Sequence, residues 1–240
     1  MSISYSKVYF QTIKDMTRFS PQIVLSKKEG NIVINQRNAD ETIAFTITAP
    51  ESNFGFDSET IAFFNYGEFH NFLELFTNPN IEIDKSKIIL SESTSKTEYI
   101  LSNPEACKVG DDIKWKNPDI RFELPQKELE NFVKASSLFN SSEPIKKARI
   151  VGNGDTISIE LVNININPKQ KSYDKIFSKQ FKVEKLSECG EYDFIVNREF
   201  FISSPKRNYT VELKKEGFLK MSHTEEGISV DILCVPISER

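Results

Sequence analysis

The chain has 240 residues, 38% of them hydrophobic and 28% charged, with a formal net charge of −4. That composition fits a soluble globular protein of one large or two small domains. It argues against a protein that coats nucleic acid by bulk positive charge, and no apolar run reaches the ~18 residues of a membrane helix.

In chain order, Ser6–Phe19 reads as a helix, with Tyr9, Ile13 and Met16 on one face. Strands follow at Gln22–Lys27, Asn31–Asn35, Thr42–Ala49 and Thr60–Asn65. A second helix, Glu68–Phe76, spaces Phe69, Phe72, Leu73 and Phe76 at i, i+3, i+4 and i+7. Strands at Ile81–Asp84, Lys87–Ser91 and Lys96–Ser102 come next. The segment Asn103–Pro118 carries Pro, Gly and charge near the midpoint and reads as a linker.

Asp119–Leu124 reads as a strand. Gln126–Phe139 reads as a helix after Pro125, with Leu129, Phe132 and Val133 on its apolar face. Strands are expected at Ile145–Val151, Thr156–Val162, Ile176–Glu184 and Glu191–Val196. A short helix, Arg198–Ser204, has Asn197 as its N-cap and stops before Pro205. Tyr209–Leu213, Phe218–Ser222 and Ile228–Val235 close the chain. Alternation of Ile157, Ile159 and Leu161 with Ser158 and Glu160 marks half-buried strands. KKEGN, NGDT, KKEG and EEGI read as hairpin turns.

The order helix, strands, helix, strands occurs twice. It implies an α+β chain of two similar domains, 1–105 and 119–240, joined by a linker at 106–118.

No constellation for acid–base or nucleophilic chemistry is visible. His70 and His223 read as surface histidines without a second ligand at metal spacing. Cys107, Cys189 and Cys234 are widely spaced and read as free thiols in a reducing compartment. The opening MSISYSKVYF has no signal-peptide pattern. No enzyme activity, metal or cofactor is therefore expected, and the location expected is cytoplasmic.

Charge is segregated. Glu51 to Glu105 carries ten acids and three lysines, whereas Ile166 to Lys185 carries six lysines against Asp174 and Glu184. With Lys7 at 0° and ~100° per residue, Lys14 and Arg18 fall within about 20° of it, while Tyr9, Ile13 and Met16 lie opposite. On the third helix Lys127 and Lys134 lie opposite Leu129. Arg198 joins the fourth helix, and Lys206 and Arg207 follow it. The second helix instead turns Glu68, Asn71 and Glu74 outward. Cations on three of four helices in a net-acidic chain fit contact with a phosphate backbone without base reading. No helix-turn-helix, zinc finger or aromatic RNA-binding motif is present. Trp115 in the linker either packs or anchors a partner. The lysine-rich strand KIFSKQFKVE has the character of a guarded sheet edge that still pairs with one intended neighbour.

Three stretches carry a family resemblance: GEYDFIVNREFFISSPKRNYTVELKKEGFLKMSHTEEGISVDIL, SETIAFFNYGEFHNFLELFTNPNIEIDKSKIILSES and DIRFELPQKELENFVKASSLF. They resemble the DNA sliding clamps, the polymerase processivity factors related to proliferating cell nuclear antigen, and in particular the clamps of T-even-type phages. The resemblance implies three subunits closed head to tail around duplex DNA, helices lining the hole and sheets outside. Lys7, Lys14, Arg18, Lys127, Lys134, Arg198, Lys206 and Arg207 would face DNA. Tyr99 and Leu101 of one subunit would meet Phe177, Phe181 and Val183 of the next. Ile113, Trp115, Val235 and Ile237 would hold partner peptides. The partners implied are duplex DNA, a DNA polymerase and an ATP-driven clamp loader, in a virus-infected, bacterial cell. Two rivals share the sequence features: a monomeric viral processivity factor gripping DNA by charge, and a β-rich structural protein of a virion.

Overall fold

The Ser6 hydroxyl accepts a hydrogen bond from the Tyr9 N–H at 3.2 Å and caps helix α1, Lys7–Met16. Tyr9, Phe10, Ile13 and Met16 form its buried stripe. The helix ends before Arg18, short of the expected Phe19. Thr17 directs its N–H and its hydroxyl onto the Lys14 carbonyl, at 3.1 and 2.7 Å, and tightens the last turn. The computed structural model describes residues 5–84, 86–110, 115–138, 147–153, 155–167, 170–187 and 190–237.

Next come β1 (Ile23–Lys28), β2 (Asn31–Arg37), β3 (Ile43–Pro50) and β4 (Thr60–Phe63). Helix α2 (Tyr66–Leu73) and the meander β5 (Asn80–Asp84), β6 (Lys87–Glu92) and β7 (Ser95–Ile100) follow. Asn65, expected at the end of a strand, caps α2 instead: its side chain accepts from the Glu68 N–H at 3.3 Å. The pairings are antiparallel, in the orders β3-β2-β1-β4 and β5-β6-β7. Glu29 and Gly30 turn β1 into β2 with φ of 51° and 78°, the left-handed pair that a two-residue hairpin requires.

The second half contains β8 (Ile120–Leu124), α3 (Gln126–Leu138), β9 (Lys147–Gly152), β10 (Thr156–Asn167) and β11 (Gln170–Lys182). It continues with β12 (Glu184–Lys185), β13 (Tyr192–Asn197), α4 (Glu199–Ile202), β14 (Tyr209–Leu213), β15 (Leu219–Glu225) and β16 (Ile228–Cys234). The strand orders are β11-β10-β9-β13 and β12-β8-β14-β15-β16. Two compact units result. The first is Met1–Ala39, Ala44–Asp112 and Thr224–Val230; the second is Asp40–Ile43, Ile113–His223 and Asp231–Arg240.

The repeat extends to topology. In the first unit β3, β2, β1 and β4 lie side by side, and in the second β11, β10, β9 and β13 lie in the same relative order. Each set precedes a helix and a three-strand meander. The second set is longer: β10 and β11 stay paired from Thr156↔Lys182 to Asn167↔Gln170, with a bulge between Leu161 and Val162. The expected strands stop at Val162 and begin at Ile176, because asparagine favours turns and conceals the alternation of Asn163–Asn167.

The first core is aromatic. Phe10 meets Phe54 edge-on at 4.9 Å between centroids, and Phe69 meets Phe63 and Tyr99 at 4.8 and 5.5 Å. In the second, Phe132 of α3 contacts Phe201 of α4 at 5.7 Å and Phe177 of β11 at 5.1 Å. Helix α4 is shorter than expected. It starts at Glu199, whose N–H bonds the Asn197 side chain at 3.0 Å, and ends at Ile202.

Candidate nucleic-acid interface

The eight predicted cations occupy different settings. Lys7 is exposed, and its Nζ donates to the Thr77 carbonyl at 3.0 Å. Lys14 is half-buried and donates to the Gly67 carbonyl at 3.2 Å and the Asn71 Oδ1 at 3.0 Å, both on α2. Arg18 is exposed, but in the turn after α1, which corrects its expected place on the helix. Lys127 and Lys134 are exposed on α3, whose opposite face buries Leu129, Phe132 and Ala135. Arg198 is half-buried before α4 and donates to the Ser136 hydroxyl of α3 at 3.1 Å. Lys206 donates to the Ile202 and Ser204 carbonyls, both at 2.8 Å, and so closes the end of α4. Arg207 is half-buried.

Helix α2 exposes Glu68 and Asn71, and Glu74, expected on the helix, is exposed just past its end. His70, expected at the surface, is 5% exposed. It falls one helical turn from Tyr66 and from Leu73, so it shares their buried stripe. Its Nδ1 stands 3.6 Å from Glu74 Oε1, beyond hydrogen-bond range. Burial pulls its pKa below the usual histidine value and Lys14 adds to that, against opposing pulls from Glu74 and Asp15. His223 lies in β15, with its Nδ1 2.9 Å from the Asn208 carbonyl. Among the described residues no three His, Cys, Asp or Glu side chains gather as a metal site.

Among the edge strands of the described residues, two bear on the expected seam. β7 ends the order β5-β6-β7, and β11 ends the order β11-β10-β9-β13. The side chains expected at the seam turn inward. Tyr99 donates to the Asn65 carbonyl at 3.0 Å and is 6% exposed, and Leu101 is 9% exposed. On β11, Phe177 packs on Phe132 and Phe181 stacks on Phe122 at 5.2 Å. Val183, just past β11, is half-buried. The outward groups are Lys96, Glu98 and Ile100 on β7, and Ser178, Gln180 and Lys182 on β11. Ile100 is 77% exposed. Lys179, which interrupts the apolar run of β11, shares the inward face and donates to Glu128 Oε1 of α3 at 2.7 Å. That bond holds the Glu128 carboxyl below the usual glutamate range. The sequence hides this pair, because its members lie in different elements 51 residues apart.

The expected partner residues fall in the second unit, apart from Ile113, which lies outside the described residues. Trp115 is half-buried, with Lys214 Nζ 4.8 Å and Lys220 Nζ 5.9 Å from its ring centroid. The N–H of Val235 bonds the Thr42 carbonyl at 3.0 Å, and that of Ile237 bonds the Ile195 carbonyl at 2.9 Å. The turn between β14 and β15 joins the two groups. Lys214 begins it, and Gly217, at φ 88°, would bring a Cβ within 3.0 Å of Pro236 and 3.2 Å of the Phe194 ring. Beneath it, burial pushes the Glu212 carboxyl up, while the Arg121 hydrogen bond, Lys220, Trp115 and the Arg121 charge together pull it below its ordinary value. The linker is packed where it is described: Cys107 is buried against Val24 and Ala62, and the Gly110 N–H bonds the Asn35 carbonyl at 2.9 Å.

No protein-family model matches the chain, and no curated protein sequence matches it. Its fold does match solved structures. It is similar to the PCNA of A. fulgidus bound to the C-terminal region of FEN-1, with a TM-score of 0.71 and 10% identity over 100% of this chain and 98% of that one. It is similar to a chain of the PCNA2–PCNA3 complex of Sulfolobus tokodaii, with a TM-score of 0.71 and 11% identity over 99% of each chain. It is also similar to the proliferating cellular nuclear antigen of Entamoeba histolytica, with a TM-score of 0.70 and 12% identity over 99% of this chain and 100% of that one. From end to end, the chain has the fold of the PCNA sliding clamps.

Proposed function

We propose that this chain is one subunit of a DNA sliding clamp, a non-catalytic ring that encircles duplex DNA and tethers a DNA polymerase. The observation that carries the reading is the repeat with two edges left over. In the strand order β3 has β16 as its neighbour on the side away from β2. In the second unit, β11 holds the place of β3 and has no outer neighbour among the described residues, and β7, which holds the place of β16, has none either. Pairing β7 of one copy with β11 of the next repeats the β3–β16 arrangement between chains. Unlike edges make a head-to-tail contact, which closes into a ring when the rotation allows. The resemblance to the sliding clamps implies three subunits.

In that ring the helices face the duplex and the sheets face away. Three chains of −4 carry −12, so the outside repels DNA while cations on the helices accept it. Hold is topological and needs few phosphate contacts. The surface around Trp115, Val235 and Ile237 takes partner peptides, including those of a polymerase and an ATP-driven loader. The likeness of its C-terminal segment to T-even-type clamps supports a viral replication complex in the cytoplasm of a bacterial cell.

The test has two readings. In solution the particle should weigh about three times the 27.6 kDa of one chain. After loading, it should stay on nicked circular DNA through a high-salt wash and slide off once the circle is cut. A particle of single-chain mass that holds linear DNA in a strongly salt-sensitive way would establish the monomeric alternative.

A further inference from the structure

We infer that the basic side chains of the helix layer divide into two jobs: Lys14 and Arg198 each clasp the two helices of their own unit together, while attraction for a phosphate backbone falls to Lys127 and Lys134 of α3, with Arg18. The second job rests on the clamp reading; the first does not.

The clasps are visible in the bonding. Lys14 on α1 spends two of its three ammonium protons on α2, on the Gly67 carbonyl at 3.2 Å and the Asn71 Oδ1 at 3.0 Å. The nitrogen reaches the helix backbone beside a glycine: a Cβ on Gly67 would stand 3.6 Å from Lys14 Nζ. Beside it the Tyr66 hydroxyl donates to the Phe10 carbonyl at 3.3 Å, a second tie between the same helices. In the second unit Arg198 reaches from the start of α4 to the Ser136 hydroxyl of α3 at 3.1 Å, with its Nε 3.4 Å from Glu199 Oε1. Its side chain is 20% exposed. Turning either cation toward a phosphate would forfeit these bonds.

The remaining charges decide where phosphate is drawn. Lys127 and Lys134 are exposed, and neither side chain has a hydrogen-bond or ion-pair partner among the described residues. Arg18 is exposed and likewise unpaired among them. The first unit's helix pair offers less. Lys7 is engaged by the Thr77 carbonyl, and Glu68 on α2 and Glu74 just past its end are exposed, the latter 63%. Carboxylates beside a bound cation cancel its long-range pull on a polyanion. On α3 Glu128 is already met by Lys179 at 2.7 Å, which leaves Glu130, bonded to the Gln126 amide, as the other carboxylate there, so the electrostatic grip leans toward α3.

Two measurements on the full-length chain test this, one without DNA. Lys14→Met and Asn71→Ala should each lower the Tm by about 2–4 °C, and the double variant should lose no more than the larger single loss, as expected for two ends of one bond. Lys14→Arg should restore much of the loss. Unchanged Tm values, or losses that add, would overturn the clasp. The second measurement follows the salt dependence of association with a short fluorescent duplex. Lys127→Ala/Lys134→Ala should lower the slope of log K against log salt by roughly one for each phosphate no longer neutralised, with an unchanged Tm. Lys14→Met should keep the wild-type slope. Equal flattening by both would overturn the division. A wild-type chain without salt-dependent association would sink the DNA reading and the second job with it, while the melts still decide the first.

Discussion

His70 shows how a single side chain can tie stability to pH. Its imidazole is buried among Tyr66, Phe69 and Leu73 and gains no hydrogen bond at Nδ1. Burial lowers its pKa below the unfolded value near 6.5, so the folded chain takes up the proton less readily than the unfolded one. The stability that neutral His70 contributes is complete above about pH 6.5 and drains away as pH falls below it. Thermal melts from neutral pH down to about pH 5 should show a decline that His70→Leu reduces. Burial also pushes the Cys234 thiol up to about 12 and raises that of Cys107. Both should resist alkylation in native buffer and react on unfolding; prompt labelling of either would contradict its placement. At this scale the sequence is only half legible. It shows which helix positions carry cations, but not that Lys7 and Lys14 are engaged. Lys7 and Lys14 reach main-chain carbonyls 70 and 53 residues away, which no residue type announces, and the Asn71 amide that also accepts from Lys14 lies 57 residues on.

Elements were more legible than residues, since helices and strands follow from periods of 3.6 and 2 that survive without knowledge of partners. Tyr209–Leu213 and the start of α3 at Gln126 fall where periodicity places them. Departures have local causes: Asn65 starts a helix rather than ending a strand, and the two-residue β12 is too short to show a period. Helix α3 also depends on a distant cap. Its first N–H, on Gln126, bonds the Asn208 side chain at 2.8 Å, 82 residues on. Asn208→Ala should cost about 1 kcal/mol in denaturant unfolding, the usual scale of a lost helix cap. Phe132→Ala, at the meeting of α3, α4 and β11, should cost about 3–5 kcal/mol. A loss below about 1 kcal/mol there would mean that α3 is not held by this core.

For the whole molecule, the doubled order of elements was readable from turns and periodicity, and the matching strand orders give it a physical form. What sequence could not show is which side chains a sheet edge offers. Reading apolar residues as contact residues selected Tyr99, Leu101, Phe177 and Phe181, but large apolar groups next to an edge first serve their own core. The outward Ile100 is the better probe. Ile100→Glu should leave circular dichroism unchanged and shift the particle toward single-chain mass, because a carboxylate facing a neighbouring strand disfavours pairing without touching the core. An unaltered mass would remove β7 from the seam.

The two open edges are not copies of each other. β7 is six residues long and β11 thirteen, and they differ in side chains. A polymer joined through such dissimilar strands has an arrow: going round it, each member points the same way. If the proposed ring closes, its two faces would be chemically distinct, and every copy of Trp115 would take the same orientation. In the proposed ring, a partner docked there would meet the duplex from one fixed side.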